Sequence, residues 1–481
     1  MLFNSFSFLV FIFIVVPLFY LLSHKYRWLL LLVASCFFYA FFIPAYLLVL
    51  FAIITIDYFA AIQIEKAEQR HKKKFLFLSL CGNLGILFFF KYYNFFTDNI
   101  NQLTTVFPFV KTRLQHLNII LPIGLSFHTF QAISYVVEVY KGKQKPEKSF
   151  GIYALFVMFF PQLVAGPIER PQNMLHQFHE VKKINFSAMF SGLRYILFGL
   201  FMKSVIADRL AIPVDAVFNN ATQWHGLSMI IATFFFAIQI YCDFAGYSYM
   251  AFGIARLFGF NLMMNFRQPY FSKNIGEFWT RWHISLSTWF RDYLYLPLSG
   301  ENPTFLKDFR NIVIVFAISG LWHGANYTFI VWGLFHAVML VCYTAFTKFS
   351  PGIKIPNIVA MIGLFILVCF GWIFFRANNV TTATTIIQEI FNFNNHYLQP
   401  FSNDGLSGLP GTFLGLQLWE ILFSFFLVVV MFFLDHLVAT KKIYKLFSYP
   451  MYIQWIVYYV AILTIFVAGV FDTRQFIYFQ F

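Results

Sequence analysis

The chain has 481 residues, of which 60% are hydrophobic and only 11% charged, and its mean hydropathy is +0.69. That composition excludes a water-soluble globular domain and a disordered chain alike. The formal net charge of +14 does not point to nucleic acid, because the basic residues gather in short loops between apolar runs, as cytoplasmic loops do. Apolar runs of about 18 residues or more recur along the whole length, which predicts an all-α, polytopic integral membrane protein with about eleven or twelve crossings and further helices that enter without crossing.

The first apolar run, Phe6–Leu22, lacks a basic n-region and a small-residue cleavage site, so it reads as a permanent span. The segment before it carries no basic residue, which places the N-terminus outside. Lys66, Arg70, Lys72, Lys73 and Lys74 mark a cytoplasmic loop. Residues 75–95 then cross outward, 97–117 lie outside, and 119–140 return to a second basic loop at Lys141, Lys143, Lys145 and Lys148. A single apolar run, 150–165, broken by Pro161 and Gly166, separates that loop from Arg170, Lys182 and Lys183. Both flanks are basic, so the run reads as a re-entrant dip, buried in protein or lining a wet cavity. Residues 357–375 leave outward from Lys354, and 377–440 contain no Lys or Arg. Residues 377–411 therefore form an extracytoplasmic loop, 416–434 return to Lys441, Lys442 and Lys445, and 451–471 leave again, so the C-terminus is also extracytoplasmic. The whole reads as one membrane domain: N-terminal spans over 1–118, a core over 119–376, the loop 377–411, and C-terminal spans over 412–481. The five cysteines lie inside apolar segments without paired spacing, so neither a disulfide framework nor a metal site is expected.

Buried polar residues are expensive in such a chain, and they concentrate between 239 and 336. In QIYCDFAGYSYMAFGIARLFGF (239–260), Asp243 sits in an apolar helix, where it either supports a catalytic group, caps a neighbouring helix or is satisfied by packing. Gly246 and Gly253 fall on one helical face and permit close packing. In residues 265–298, Trp279, Trp282, Leu286, Trp289 and Tyr293 form one stripe, which predicts an amphipathic helix at the cytoplasmic interface. His283 lies beside that stripe. Arg267, Lys273, Arg281 and Arg291 either snorkel to lipid phosphates or receive an anionic donor. Residues 311–346 read as a hairpin or a pair of broken helices, with His323 deep in the apolar run beside Gly320, Gly324 and Asn326. A histidine there is suited to accept and return a proton. His336 follows 13 residues on, without a second ligand at metal spacing. The chain ends on FIYFQF (476–481), outside the last span, where its rings should dock in the membrane interface or into the protein's own outer cavity.

Six stretches resemble successive blocks of the membrane-bound O-acyltransferases: LPIGLSFHTFQAISYVVEVYKG, FFPQLVAGPIERP, DFAGYSYMAFGIARLFGF, EFWTRWHISLSTWFRDYLYLPL, LWHGANYTFIVWG and GWIFFRA. The likeness is to the bacterial branch containing the alginate O-acetyltransferase membrane subunit, with the teichoic-acid D-alanyl transfer protein more distant. It implies a ring of helices around a tunnel, with acyl donor entering from the cytoplasm and acceptor from the other side. It also implies that His323 is the family's near-invariant histidine and His283 the second site histidine, supported by Asp243 and Asn326. At Tyr249 close relatives are expected to carry an acid instead. Phe476, Tyr478 and Phe481 are similar to a C-terminal motif of this branch, which suggests Tyr478 as an acyl relay. The implied reaction is acetyl transfer from acetyl-CoA, a substrate rather than a resident cofactor, to an extracytoplasmic polysaccharide such as an alginate-like exopolysaccharide or peptidoglycan. The implied setting is the bacterial inner membrane, with a separate extracytoplasmic partner of the SGNH type. The alternatives are D-alanyl-type transfer from a carrier-protein thioester and, from another class, a transporter or flippase. The absence of an internal repeat speaks against the last.

Overall fold

The computed structural model describes residues 1–106, 113–300, 304–350, 352, 355–393, 414, 416–440, 450–471, 476 and 477. Tyr478, Phe479 and Phe481, the basic residues Lys354, Lys441, Lys442 and Lys445, and residues 394–411 of the expected outside loop lie outside these. The described residues form helices and no β-strand, and seven of the helices are long and apolar enough to cross a membrane. The chain divides into two units, Met1–Ile196 with Met250–Met263, and Leu197–Tyr249 with Met264–Gln480.

The first unit opens with α1 (Phe6–Leu21), α2 (His24–Ala40), α3 (Tyr46–Lys66) and α4 (Gln69–Leu87), followed later by α5 (Leu125–Tyr140) and α6 (Phe150–Met158). Asp57 of α3 is fully buried, and its Oδ1 accepts hydrogen bonds from Ser79 Oγ at 2.5 Å and Asn83 Nδ2 at 2.7 Å on α4. The expected dip falls on α6, whose nine residues are too short for a hydrocarbon layer of about 30 Å. The irregular backbone that follows is buried from Phe159 to Glu169. Hydrogen bonds inside the unit hold it. Gln131 Nε2 and Gln162 Nε2 both donate to the Phe156 carbonyl, at 2.6 and 2.9 Å, and Phe160 N donates to Ser35 Oγ at 3.1 Å. Non-helical backbone at membrane depth survives only with such partners.

The second unit is built on α7 (Leu227–Leu257), which belongs to it as far as Tyr249. The short helices α8 (Ile275–Arg281) and α9 (Ile284–Phe290) follow, then α10 (Phe305–His323), α11 (Tyr327–Phe349), α12 (Asn357–Arg376), α13 (Leu418–Ala439) and α14 (Met451–Ala468). The close packing expected at the α7 glycines is present. A Cβ on Gly246 would lie 2.7 Å from the Gly199 carbonyl oxygen, and one on Gly253 would collide with that of Gly192. The hairpin expected over 311–346 is α10 and α11 joined by a three-residue turn, and a Cβ at either Gly320 or Gly333 would strike the backbone of the facing helix. Part of the expected outside loop is helical: Val380–Phe391, capped by Asn379 Oδ1, which accepts from Thr382 N at 2.8 Å.

Candidate active site

His323 is the last residue of α10, and the chain turns away at Gly324. Its side chain is buried, with the imidazole edge-on to Trp322 (5.0 Å between ring centroids), Trp332 (5.0 Å) and Phe375 (5.2 Å). Asn326 fixes the turn. Its Oδ1 caps α11 by accepting from Thr328 N at 3.0 Å, and its Nδ2 donates to the Asn378 carbonyl at 2.8 Å. Asn326 thus ties the turn after His323 to the start of α11 and to the chain beyond α12.

The expected continuous amphipathic helix is instead broken at His283. Helix α8 ends at Arg281, Trp282 is extended, His283 takes a left-handed conformation with φ 42°, and α9 begins at Ile284. A non-glycine residue held there costs about 1–3 kcal/mol and persists only where its surroundings impose it. Asn265 does so, accepting from Ile284 N through its carbonyl (2.9 Å) and from Ser285 N through Oδ1 (3.3 Å), while Arg267 N donates to the Arg281 carbonyl (3.0 Å). Trp282, Leu286 and Trp289 of the expected stripe do face inward. The break turns His283 inward as well, 4.5 Å from the Phe244 ring and 6.0 Å from that of Trp322. Burial pushes the His283 imidazole down from its ordinary 6.5 to about 3, so it remains neutral in the physiological range. The two histidines therefore share one indole, Trp322, as a neighbour.

His336 also lies against Trp332, fully buried, with its ring 5.0 Å from that indole and 5.1 Å from Trp279. The described residues contain no cluster that would hold a metal ion.

Asp243 lies on α7, close to the same aromatic shell: the residue after it is Phe244, which His283 touches. Its Oδ1 pairs with Lys203 Nζ at 2.6 Å, and Lys203 also pairs with Asp208 Oδ1 at 2.7 Å; all three side chains are buried. Lys203 belongs to a π-helical turn, Phe201–Ala207. Asp243 Oδ2 accepts from Ile477 N at 2.7 Å, and Phe476 is buried with its ring 5.6 Å from Phe244 and 5.1 Å from Tyr247. Of the two expected places for the terminal rings, Phe476 thus takes the protein interior. Lys203, Asp208 and Asn265 did not stand out in the sequence. The first two carried a usable signal, as ionisable residues inside the apolar run FMKSVIAD. Tyr249 is buried, with its ring 5.4 Å from Phe198.

Four cations were expected either to snorkel to lipid phosphates or to receive the donor. Arg267 and Lys273 are exposed. Arg281 pairs with Glu277 Oε1 at 2.5 Å one turn away, and Arg291, 60% exposed, pairs with Asp292 Oδ1 at 2.8 Å.

Seven spanning-length helices define a polytopic membrane protein, and two buried imidazoles against one indole make the candidate site within it. The sequence profile of the MBOAT, membrane-bound O-acyltransferase family matches residues 148–384, which include both histidines, Lys203 and Asp243. The chain is 38% identical to the probable alginate O-acetylase of Pseudomonas aeruginosa, over 84% of this chain and 78% of that protein. It is 37% identical to the peptidoglycan O-acetyltransferase of Helicobacter pylori, over 76% of this chain and 74% of that one. Identity to the teichoic acid D-alanyltransferase of Bacillus subtilis is 30%, over 57% of this chain and 74% of that one. The chain belongs to the membrane-bound O-acyltransferase family, and it is an O-acyltransferase.

Proposed function

We propose that the protein takes acetyl groups from acetyl-CoA at the cytoplasmic face and passes them across the membrane for O-acetylation of an extracytoplasmic polysaccharide of the alginate or peptidoglycan type. The observation that carries this reading is His323 seated beside His283 in one buried aromatic shell, with Ile477, the residue before Tyr478, bound at Asp243 next to that shell. The relatives named above support the acetyl group and the polysaccharide over the D-alanyl alternative, because the acetylase similarities cover more of this chain.

In this reading His323 removes the proton from an acceptor hydroxyl as its oxygen attacks the thioester carbonyl. The carbon–sulfur bond breaks, and the departing CoA thiolate takes the proton back from the imidazolium. His283, held neutral, positions one reactant by hydrogen bonding. A polymer is too bulky for so enclosed a base, so the first acceptor is the phenol of Tyr478. Its ordinary pKa of about 10 makes deprotonation by an imidazole feasible and leaves an aryl ester reactive enough to transfer again. A separate extracytoplasmic acetyltransferase of the SGNH type takes the acetyl group onward. Both termini lie outside the cytoplasm, in the bacterial inner membrane, and no metal or resident cofactor is required.

Tyr478→Phe and His323→Ala test this together. Each should lower glycan ester content by roughly 100- to 10,000-fold at matched protein levels, the range of positioned acid–base groups. Mass spectrometry of wild type lacking its partner should show the C-terminal peptide heavier by one acetyl group. Full activity in Tyr478→Phe would end the relay, and full activity in His323→Ala would end the assignment of the base.

A further inference from the structure

The contacts of the chain's last described residues assign a role to a buried charge cluster outside the histidine pair. We propose that Lys203 and Asp243 form the seat of the C-terminal segment, and that this seat sets the position from which residue 478 acts; the second half of this statement rests on the relay reading above.

Three hydrogen bonds join the end of the chain to the helices beneath it. Arg209 Nη2 donates to the Ala468 carbonyl at 3.0 Å, Val470 N donates to the Ser204 carbonyl at 2.9 Å, and Ile477 N donates to Asp243 Oδ2 at 2.7 Å. The Ser204 carbonyl lies in the π-helical turn, whose wide i→i+5 bonding disturbs the α-helical ladder and turns backbone groups toward partners outside the helix. The turn also carries Lys203, whose ammonium bridges the carboxylates of Asp208 and Asp243. Asp243 Oδ1 faces the ammonium, and its Oδ2 takes the Ile477 N–H. A backbone N–H is the donor such a carboxylate oxygen needs, and a bond from it to an ionised acceptor is about twice as strong as a neutral one.

A backbone donor carries no side-chain identity, so the hydrogen bond alone would accept several registers. Phe476 removes that freedom, because its buried ring lies against Phe244 and Tyr247. A slip of one residue would take the ring from this pocket and present a different N–H to Asp243. Tyr478 follows Ile477 directly in the chain, so only the backbone torsions between these neighbours and the tyrosine's own side chain separate the seat from the phenol. Lys203 and Asp243 are therefore positioning residues. They act through the tail and not on the acyl group.

Hydrogen–deuterium exchange on the purified full-length protein, read in the peptide spanning residues 470–481, tests the seat without reference to catalysis. Asp243→Ala should speed exchange there roughly 10- to 100-fold, the weight of one charge-assisted hydrogen bond. That variant leaves Lys203 paired with Asp208. Ile477→Pro deletes only the N–H and keeps the whole charge cluster, and it should speed exchange at the remaining amides of the peptide. Acetyl transfer from labelled acetyl-CoA should fall about tenfold or more in both variants, and the double variant should be no worse than the poorer single one. Unchanged exchange in both folded variants overturns the seat. Faster exchange with wild-type transfer overturns its positioning role. A wild-type protein with a protected tail and no acetyl transfer to any acceptor leaves the seat standing and sinks the acetyltransferase reading instead.

Discussion

Asp57 and Asp243 are both acids buried in apolar helices, one in each unit, and their partners differ. Asp57 takes two neutral donors, Ser79 and Asn83, from the adjacent helix α4. Asp243 faces the ammonium of Lys203 and a backbone N–H that lies 234 residues further along the chain. A buried ion pair adds little net stability, because the desolvation of both charges offsets most of their attraction. Retaining Lys203 beside Asp243 makes sense where that carboxylate also binds something, here the end of the chain.

The sharpest way to break this comparison is to neutralise both carboxylates isosterically. Asp243→Asn keeps an acceptor but strips the charge from the seat, and acetyl transfer should fall about tenfold or more. Asp57→Asn keeps an acceptor for Ser79 and Asn83, and transfer should stay within about twofold of wild type. Asp57→Ala leaves those donors unpaired and should cost about 1–3 kcal/mol of stability in a detergent melt, with the surviving enzyme turning over normally. Equal losses of transfer in the two Asn variants would dissolve the distinction.

A second test sharpens it at His283, a buried base kept neutral by its surroundings. Its pKa falls from 6.5 to about 3 on folding, so between those values the unfolded chain binds a proton that the folded protein does not. Stability attributable to this group is therefore fully present above pH 6.5 and is lost as pH falls toward 3. His283→Gln should lower acetyl transfer and make the melting temperature less sensitive to acid in that window. An unchanged acid slope would mean that His283 is protonated in the folded state.

The smallest effect is expected at the surface cations. Glu277, one turn away, already neutralises Arg281 in a half-buried pair. Arg281→Ala should shift half-saturation by acetyl-CoA less than about threefold. A shift beyond about tenfold would show that donor phosphates displace Glu277 from the guanidinium.

Much of the molecule was legible in the sequence for identifiable reasons. The α10–α11 hairpin followed from an apolar run longer than one span, and the close approach at Gly246 and Gly253 from small residues seven apart on one face. His323 stood out because an imidazole at that depth needs a reason. The break at His283 was not legible, because the aromatic stripe keeps helical spacing straight through it. The donors of the α9 first turn are satisfied by Asn265, in a preceding loop, and periodicity carries no information about that partner. The Lys203 cluster was hidden similarly. It depends on a π-helical turn, to which a reading at 3.6 residues per turn is blind, and on a contact between distant parts of the chain.

That turn has one more consequence, for how such a protein can be lost or altered by mutation. A π-helical turn accommodates one residue more than the α-helical ladder around it, so removing a single residue such as Val205 would let the helix close into regular α form. Because the turn absorbs that residue, the helical stretches on either side would keep their phase, and the change would fall on the turn itself. The Ser204 carbonyl would return to the helix ladder and withdraw from Val470 N. A one-codon deletion here would spare every histidine, aspartate and lysine named above and still loosen the end of the chain. The site's chemistry is written in the counting of residues as well as in their kinds.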